Sequence, residues 1–205
     1  MSVNHASPTS SHARLRDRLR EETAQGILDA AEAVFSEDGL SAGMERIAER
    51  AGVAVGTLYN HFQDRKALVG ALSCLRREAL IARLDAAAAG AAGLEFAEQL
   101  RAFLGALAEH GRTHGRLLAA LVQAGEGPAR ARPQGALLDA FLARADALVE
   151  RGIAAGALRP ERRALLATAL VGLARAGMVR AIEGALGWDE LVDGVAELFL
   201  RGAGR

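Results

Sequence analysis

Two short apolar stripes separated by one glycine constrain this chain more than any other feature. The first stripe has helical spacing and consists of Met44, Ile47, Ala48 and Ala51. Gly52 follows it, and a residue without Cβ can adopt the left-handed conformation that ends a helix and turns the chain sharply. In the second stripe Leu58 and Phe62 lie four residues apart, so a helix there buries one face and exposes the rest. The pattern predicts two short helices joined by a tight turn.

The exposed face of the second short helix is small and polar. A helix that enters the major groove of DNA has little bulk at its N-terminal end, polar groups that reach base edges, and an apolar back. Asp64 comes next and is placed to cap a further helix, because its carboxylate can accept free backbone N–H groups. We expect the exposed face to contact DNA through Val55, Gly56, Thr57, Tyr59, Asn60 and His61.

A longer amphipathic helix precedes these two and ends at Gly39. Its apolar stripe follows the helical period and consists of Ile27, Leu28, Ala31, Val34 and Phe35. Such a stripe packs against neighbouring helices and leaves the opposite face in solvent. Three helices of this kind are typical of a helix-turn-helix domain that reads DNA.

The stretch AGVAVGTLYNHFQDRKAL resembles the N-terminal domain of TetR-family transcriptional regulators, and the resemblance covers residues 23–72. It implies a DNA-binding regulator, typically a ligand-responsive repressor, that binds a near-palindromic double-stranded operator as a homodimer in the cytoplasm. Three residues depart from the family pattern. Gly43 and Ala54 stand where Ser or Thr often caps a helix, and Arg65 replaces the usual Lys.

Local clusters of positive charge must supply the attraction to DNA, because the chain carries 25 basic and 25 acidic residues and has no net charge. Arg65 and Lys66 follow the recognition helix and are expected to contact phosphate. The resemblance adds Gly43 and Met44 at the start of the preceding helix. A second cluster, expected before the first helix, consists of Arg14, Arg16, Arg18 and Arg20, of which Arg20 is included among the DNA contacts.

Composition predicts an all-α protein of about nine helices. Hydrophobic residues make up 51% of the 205 residues, with four prolines and no β-branched strand-like runs. We expect a disordered N-terminal tail over residues 1–13, the helix-turn-helix domain over 14–70, and a helical effector-binding and dimerisation domain over 71–205. Glycines at 111 and 115 predict a break between a fifth and a sixth helix.

The last two helices are expected to form the dimer interface that the resemblance implies. The earlier of them carries small residues that permit close helix approach, and the other carries a larger apolar stripe. Packing inside one chain is the alternative interpretation of both patterns. The interface residues predicted are Ala169, Gly172, Leu173, Ala176, Leu191, Val195, Leu198 and Phe199.

An unknown small-molecule effector is expected among the fourth to eighth helices. Candidate lining residues are the aromatic or polar groups on otherwise aliphatic helices: Phe96, Phe103, His110, His114, Gln123, Phe141, Arg175 and Met178. Because His110 and His114 lie four residues apart, a metal site is an alternative, although no further ligand has a matching spacing except Glu109. We favour hydrogen-bonded or solvated histidines, and predict no metal and no cofactor.

The remaining features exclude more than they indicate. Cys74 is the single cysteine, and a small buried hydrophobe is a commoner role for it than a redox sensor. We expect no membrane-spanning run. The sequence has no nucleotide-binding glycine loop after a strand, no Ser-His-Asp signature and no metal quartet, so we expect no enzyme. A helical small-molecule-binding protein or scaffold that has lost DNA binding is the other alternative, prompted by Gly43, Ala54 and the neutral charge.

Overall fold

The computed structural model describes residues 8–123 and 134–203, and these residues contain helices and turns but no strand. A 3-10 turn, Pro160–Arg162, precedes the seventh helix. The helices are α1 (Pro8–Asp38), α2 (Met44–Ala51), α3 (Val55–His61), α4 (Arg65–Gly90), α5 (Phe96–Gln123), α6 (Gln134–Ala154), α7 (Arg163–Ile182) and α8 (Trp188–Ala203). The all-α prediction is confirmed for this part of the chain, with eight α-helices described where about nine are predicted.

The chain divides into two compact units, one ending at Ser73 and one beginning at Cys74. We call them the N-terminal unit and the C-terminal unit. The division falls inside α4, which is one continuous helix from Arg65 to Gly90. The N-terminal unit therefore contains α1, α2, α3 and the first part of α4.

Helix α1 begins earlier than the sequence pattern indicates. It starts at Pro8, so residues 8–13 are helical although a disordered tail is predicted for residues 1–13; residues 1–7 lie outside the described part. Proline is well tolerated in the first turn of a helix, and the run that follows is rich in Arg, Leu and Glu, which favour helix. The arginines at 14, 16, 18 and 20 consequently lie within α1 rather than before it.

Apolar side chains from α1, α2, α3 and α4 are buried in the N-terminal unit. The stripes predicted from helical spacing supply most of them, since the apolar face of each short helix has no other place to escape water. Fully buried examples are Ile27, Ala31, Phe35, Ile47, Ala48, Leu58 and Leu68. The helix-turn-helix unit thus has an apolar core of its own.

The C-terminal unit has a separate apolar core formed by α4 to α8. Helix α5 packs on α8 and α7, and α7 packs on α6 and α8. Leu84 is the residue of α4 that is fully buried in this core. Arg144 of α6 also binds Asp85 of α4 with two hydrogen bonds, Nε to Oδ1 at 2.8 Å and Nη2 to Oδ2 at 2.7 Å. This bidentate pair fixes α6 beside the second half of α4.

The predicted break at Gly111 and Gly115 is wrong, because α5 runs without interruption from Phe96 to Gln123. The glycines are required by packing rather than by a turn. A Cβ on Gly111 would lie 2.5 Å from the Trp188 ring and 2.8 Å from Met178 Cε. On Gly115 it would lie 3.4 Å from Ile182. The missing side chains let the Trp188 ring of α8 lie against the α5 backbone.

Helix α7 corrects a second expectation. Its segment Leu165–Ile182 is long and apolar enough to cross a membrane by length and composition alone, whereas no such run is predicted. Only 39% of this segment is buried. Leu170 and Ala174 on one face belong to the C-terminal core, and the core helix of a soluble protein passes the same test. Its apolar composition therefore reflects core packing on one face and exposed apolar residues on another.

Replacing Gly111 by Ala should destabilise the protein by about 1–3 kcal/mol, because the rigid Trp188 ring must move to admit the methyl group. The free energy of unfolding in urea measures this. Gly105→Ala on the same helix is the matched control, since a Cβ there has no neighbour within 4 Å. That variant should be neutral or stabilised by up to about 1 kcal/mol. Equal stability of the two variants would contradict the packing role of Gly111.

Candidate nucleic-acid interface

Helices α2 and α3 are joined by the sharp turn that the sequence predicts. Gly52 has a φ of 68°, in the left-handed region where a residue without Cβ is favoured. Its N–H donates to the carbonyl of Glu49 at 3.1 Å, and the N–H of Val53 donates to that of Ala48 at 3.0 Å. These bonds satisfy carbonyls at the end of α2. The turn lets α3 begin three residues after Gly52.

Helix α3 buries one face and exposes the other, as its spacing predicts. Leu58 is fully buried. Tyr59 is 45% exposed, Gly56 and Asn60 are also exposed, and Thr57 is half-buried. Val55 is exposed and His61 half-buried. The short helix therefore presents hydroxyl, amide and imidazole groups on an apolar base, as a recognition helix requires.

Met44 does not belong to this surface, although it is among the predicted DNA contacts. Its exposed fraction is 5%, and it lies in the core of the N-terminal unit as the first residue of α2. Gly43 is half-buried and precedes α2 without a side-chain cap. Ala54 likewise gives α3 no side-chain cap. Only the backbone is available at these two positions.

The start of α4 carries positive charge beside α3. Asp64 Oδ1 accepts a hydrogen bond from the N–H of Ala67 at 2.7 Å, which confirms the predicted cap. Arg65 and Lys66 occupy the first turn and are exposed. Neither side chain forms an ion pair within the described ranges. Both cations are therefore available for phosphate, the ligand that positions most proteins on DNA.

Ion pairs between α1 and α2 remove part of the acidic charge of this unit. Arg46 pairs with Asp38, and Arg50 Nη2 donates to Glu37 Oε1 at 3.4 Å. Exposed pairs of this kind contribute little stability. Their effect here is electrostatic, since they neutralise two carboxylates in a unit whose basic and acidic residues are otherwise balanced in number. Arg20 is exposed on α1.

The predicted effector-binding residues are placed in different surroundings within the C-terminal unit. Phe103 and Phe141 are buried and stack, with ring centroids 5.5 Å apart. Phe96 is buried against Gly152, where a Cβ would lie 2.6 Å from its ring. Arg175 is exposed and Met178 half-buried. The Gln123 side chain lies outside the described residues.

His110 and His114 lie on one face of α5, because the helix is continuous there. Their ring centroids are 4.8 Å apart. His110 is 3% exposed, and no hydrogen-bond partner exists for its Nδ1 among the described residues. Burial lowers the pKa of His110 to about 4, and the nearby His114, Arg83 and Arg76 lower it further in the same direction. The imidazole is consequently neutral at pH 7.

Arg76 and Arg83 are functional candidates that sequence reasoning misses. They are seven residues apart on α4, hence on the same face two turns apart. Leu80 and Ala87, on the same side of α4, pack against the C-terminal core. A sequence signal exists in this spacing, but only the structure shows that both arginines act on a buried histidine.

The predicted dimer-interface residues separate into two groups. Leu191, Val195 and Phe199 are buried in the core of the single C-terminal unit, so their assignment to an interface is wrong. Leu191 packs against Gly177 of α7, where a Cβ would lie 3.2 Å from it. The other group is exposed or half-buried and consists of Ala169, Gly172, Leu173, Ala176 and Leu198.

Cys74 is half-buried at the start of the C-terminal unit. Its thiol donates to Glu78 Oε1 at 3.3 Å, and Arg77 Nη2 donates to its Sγ at 3.0 Å. The cysteine therefore takes part in a local polar network on α4 instead of the apolar packing that its type favours.

The N-terminal unit matches known regulators. The sequence model described as "Bacterial regulatory proteins, tetR family" matches residues 27–72. The HTH-type transcriptional regulator UidR of Escherichia coli (strain K12) is 40% identical over 62 residues, which are 30% of this chain and 32% of UidR. The chain thus matches about a third of the length of its curated relatives.

Solved structures resemble most of the chain. A TetR-like transcriptional regulator from Rhodococcus sp. RHA1 is 27% identical, with a TM-score of 0.65 over 89% of this chain and 94% of that chain. A protein of unknown function from the same organism is 25% identical, with a TM-score of 0.73 over 89% of this chain and 96% of that chain. The N-terminal unit is a helix-turn-helix DNA-binding domain. It belongs to the TetR family of bacterial transcriptional regulators, which confirms the resemblance found in the sequence.

Lowering the pH from 6.5 to 4 should reduce the free energy of unfolding by up to about 3 kcal/mol through His110 alone. The unfolded histidine takes up a proton near pH 6.5, whereas the folded one does so only near pH 4. Between these values the unfolded state binds more protons, so stability falls as the pH falls. Below pH 4 both states are protonated and this contribution stops changing.

Urea denaturation from pH 7 to 4 on the parent protein and on His110→Leu measures this contribution. The variant should lose less stability over that range, because its core contains no group that resists protonation. Parallel curves for the two proteins would contradict the assigned pKa.

Proposed function

We propose that the protein is a dimeric, ligand-responsive transcription factor, and most specifically a repressor. The observation that carries the proposal is the construction of α3: Leu58 is fully buried, while Thr57, Tyr59 and His61 lie on the other side. Such a helix reaches base edges without exposing its apolar anchor. Arg65, Lys66 and Arg20 supply cations for phosphate, and Val55, Gly56, Asn60 and the backbone at Gly43 complete the proposed DNA contact.

Two copies of α3 are needed to read a near-palindromic operator, with recognition helices about 34 Å apart. We assign the pairing to the exposed apolar faces of α7 and α8. Leu165, Leu173, Val179 and Leu198 are all exposed in the single chain. Gly172 and Ala176 lie among them on α7 and permit close helix approach. A two-fold axis through this face buries the same surface of both subunits.

The C-terminal unit is proposed as the effector domain, and it is tied to the DNA-binding unit through α4. An effector that binds one arrangement of the two units better than another changes the fraction of protein able to bind the operator. A shift from nearly full to nearly empty occupancy needs a preference of about 5.5 kcal/mol. In this proposal the protein acts by binding, without catalysis, and does so in the cytoplasm.

A gel-shift measurement with DNA flanking the protein's own gene tests the proposed function directly. A discrete complex that survives competitor DNA and weakens steeply with salt is expected, because phosphate contacts release counterions. If flanking DNA fails, selection from random sequences identifies the operator. Failure of both experiments would favour the scaffold alternative, for which the lack of side-chain caps at Gly43 and Ala54 is the supporting observation.

Arg65→Ala and Tyr59→Ala should weaken binding to every sequence, whereas Thr57→Ala and His61→Ala should also change base preference. One lost phosphate contact reduces the slope of log affinity against log salt by about 1. A lost base contact costs about 1–3 kcal/mol of discrimination. Gel shifts over a range of salt concentrations and operator variants measure both effects.

Arg112→Ala is the matched control for the arginine variant. Arg112 is exposed on α5 and pairs with Asp189 at 3.3 Å, so its removal alters charge by the same amount in the C-terminal unit. Its operator affinity should equal that of the parent. Unchanged affinity in all four N-terminal variants would refute the assignment of α3 and the start of α4 to DNA.

Leu198→Glu should convert the dimer to a monomer, because it places a charge on an apolar contact surface. Leu198 is 64% exposed in the single chain, so the fold itself tolerates the change. Leu94→Glu is the control, since Leu94 is 48% exposed before α5 and outside the proposed interface. Sedimentation velocity should give a monomer for the first variant and a dimer for the second. Dimers of both variants would place the interface elsewhere.

A further inference from the structure

His110 is a buried polar group that the core of the C-terminal unit does not explain. It is 3% exposed and its Nδ1 lacks a hydrogen-bond partner in the described ranges. Buried polar atoms are nearly always satisfied, because an unmade hydrogen bond in the interior is unfavourable. An unsatisfied imidazole nitrogen of this kind is therefore a candidate contact for a ligand.

The groups that surround His110 electrostatically carry or can acquire positive charge. Arg76 and Arg83 approach from α4 and His114 lies one turn away on α5, and each disfavours a positive charge on His110. We call these four residues the cationic cluster. Carboxylates are not among the groups acting on His110. Positive groups gathered around a buried polar atom create a site that only a negative charge complements.

Metal binding fits this cluster poorly. His110 and His114 have the spacing of metal ligands on a helix, but the described residues contain no group of three or more His, Cys, Asp or Glu that could hold an ion. Two arginines beside the site would also repel a cation. Guanidinium groups instead match the planar geometry of carboxylate and the oxygens of phosphate.

We propose that the cationic cluster binds the effector of this regulator, and that the effector is a small organic anion held through a carboxylate or phosphate group. The inference rests on the proposed function in taking the C-terminal unit as the effector domain. Arg76 and Arg83 bind the anionic group from α4, while His110 and His114 contact it from α5. The Nδ1 of His110 then gains the partner that it lacks.

Binding at this cluster acts on the helix that leads to the DNA-binding domain. Arg76 and Arg83 lie on α4, whose first turn carries Arg65 and Lys66. An anion that joins α4 to α5 favours the arrangement of α4 in which both arginines reach it. Removing the repulsion among the cations strengthens that preference, because the unliganded cluster is electrostatically unfavourable.

Isothermal titration calorimetry on the full chain without DNA tests the site. The probes are inorganic phosphate and octanoate, with octanol and Zn²⁺ as the uncharged and cationic comparisons. Binding of phosphate or octanoate, and not of octanol or Zn²⁺, is expected. The two anions separate a phosphate ligand from a carboxylate ligand. No binding of either anion, or binding of Zn²⁺ in their place, would overturn the proposal.

Arg83→Gln and Arg112→Gln provide the matched pair of variants. Both arginines are exposed, but only Arg83 belongs to the cationic cluster. Arg83→Gln should weaken anion binding by about tenfold, equivalent to one charged hydrogen-bond contact, whereas Arg112→Gln should not change it. Equal affinity in the two variants would refute the site. His110→Leu should also lose binding, and its melting curve reports whether it folds.

A gel shift with the operator then separates this proposal from the proposed function. If the anion binds the chain and the operator complex forms, the anion should change operator affinity in the parent but not in Arg83→Gln, and an equal effect in both would overturn the effector role. If the operator complex never forms while calorimetry shows anion binding, the DNA-binding function fails and the anion site stands.

Discussion

The continuity of α4 is the constraint on which the organisation of this protein depends. One hydrogen-bonded helix runs from Arg65 to Gly90 and crosses the division between the two units after Ser73. A helix resists bending because a kink requires backbone hydrogen bonds to be broken or replaced. Asp64 caps its start, and Leu84 is buried in the second core. A displacement of the effector domain's end of α4 is therefore transmitted along its length, and no flexible linker is available to absorb it.

Sequence reasoning identifies the DNA-binding domain well because its determinants are local. The α2–α3 turn depends on Gly52 and the nearby apolar stripes, and the cap of α4 depends on Asp64, three residues before its partner. Met44 is the exception, since position in the family pattern suggested a surface role while its helical stripe already indicated burial.

The C-terminal unit is less predictable because its determinants are distant in sequence. Gly111 looks like a helix breaker until Trp188, far along the chain, is seen to occupy the space beside it. Likewise the stripe on α8 is compatible with an internal or an external partner, and only the fold shows that Leu191 faces inward. The electrostatic surroundings of His110 combine residues from two helices, so no local pattern reveals them.

The contact between Gly111 and Trp188 also has an evolutionary consequence. Neither position can change size alone without loss of packing, since the ring fills the space that a Cβ would occupy. Descendants of this chain can acquire a larger residue at 111 only together with a smaller one at 188. The two sites thus form a single inherited unit, and their joint variation would mark lineages in which the spacing of α5 and α8 has been rebuilt.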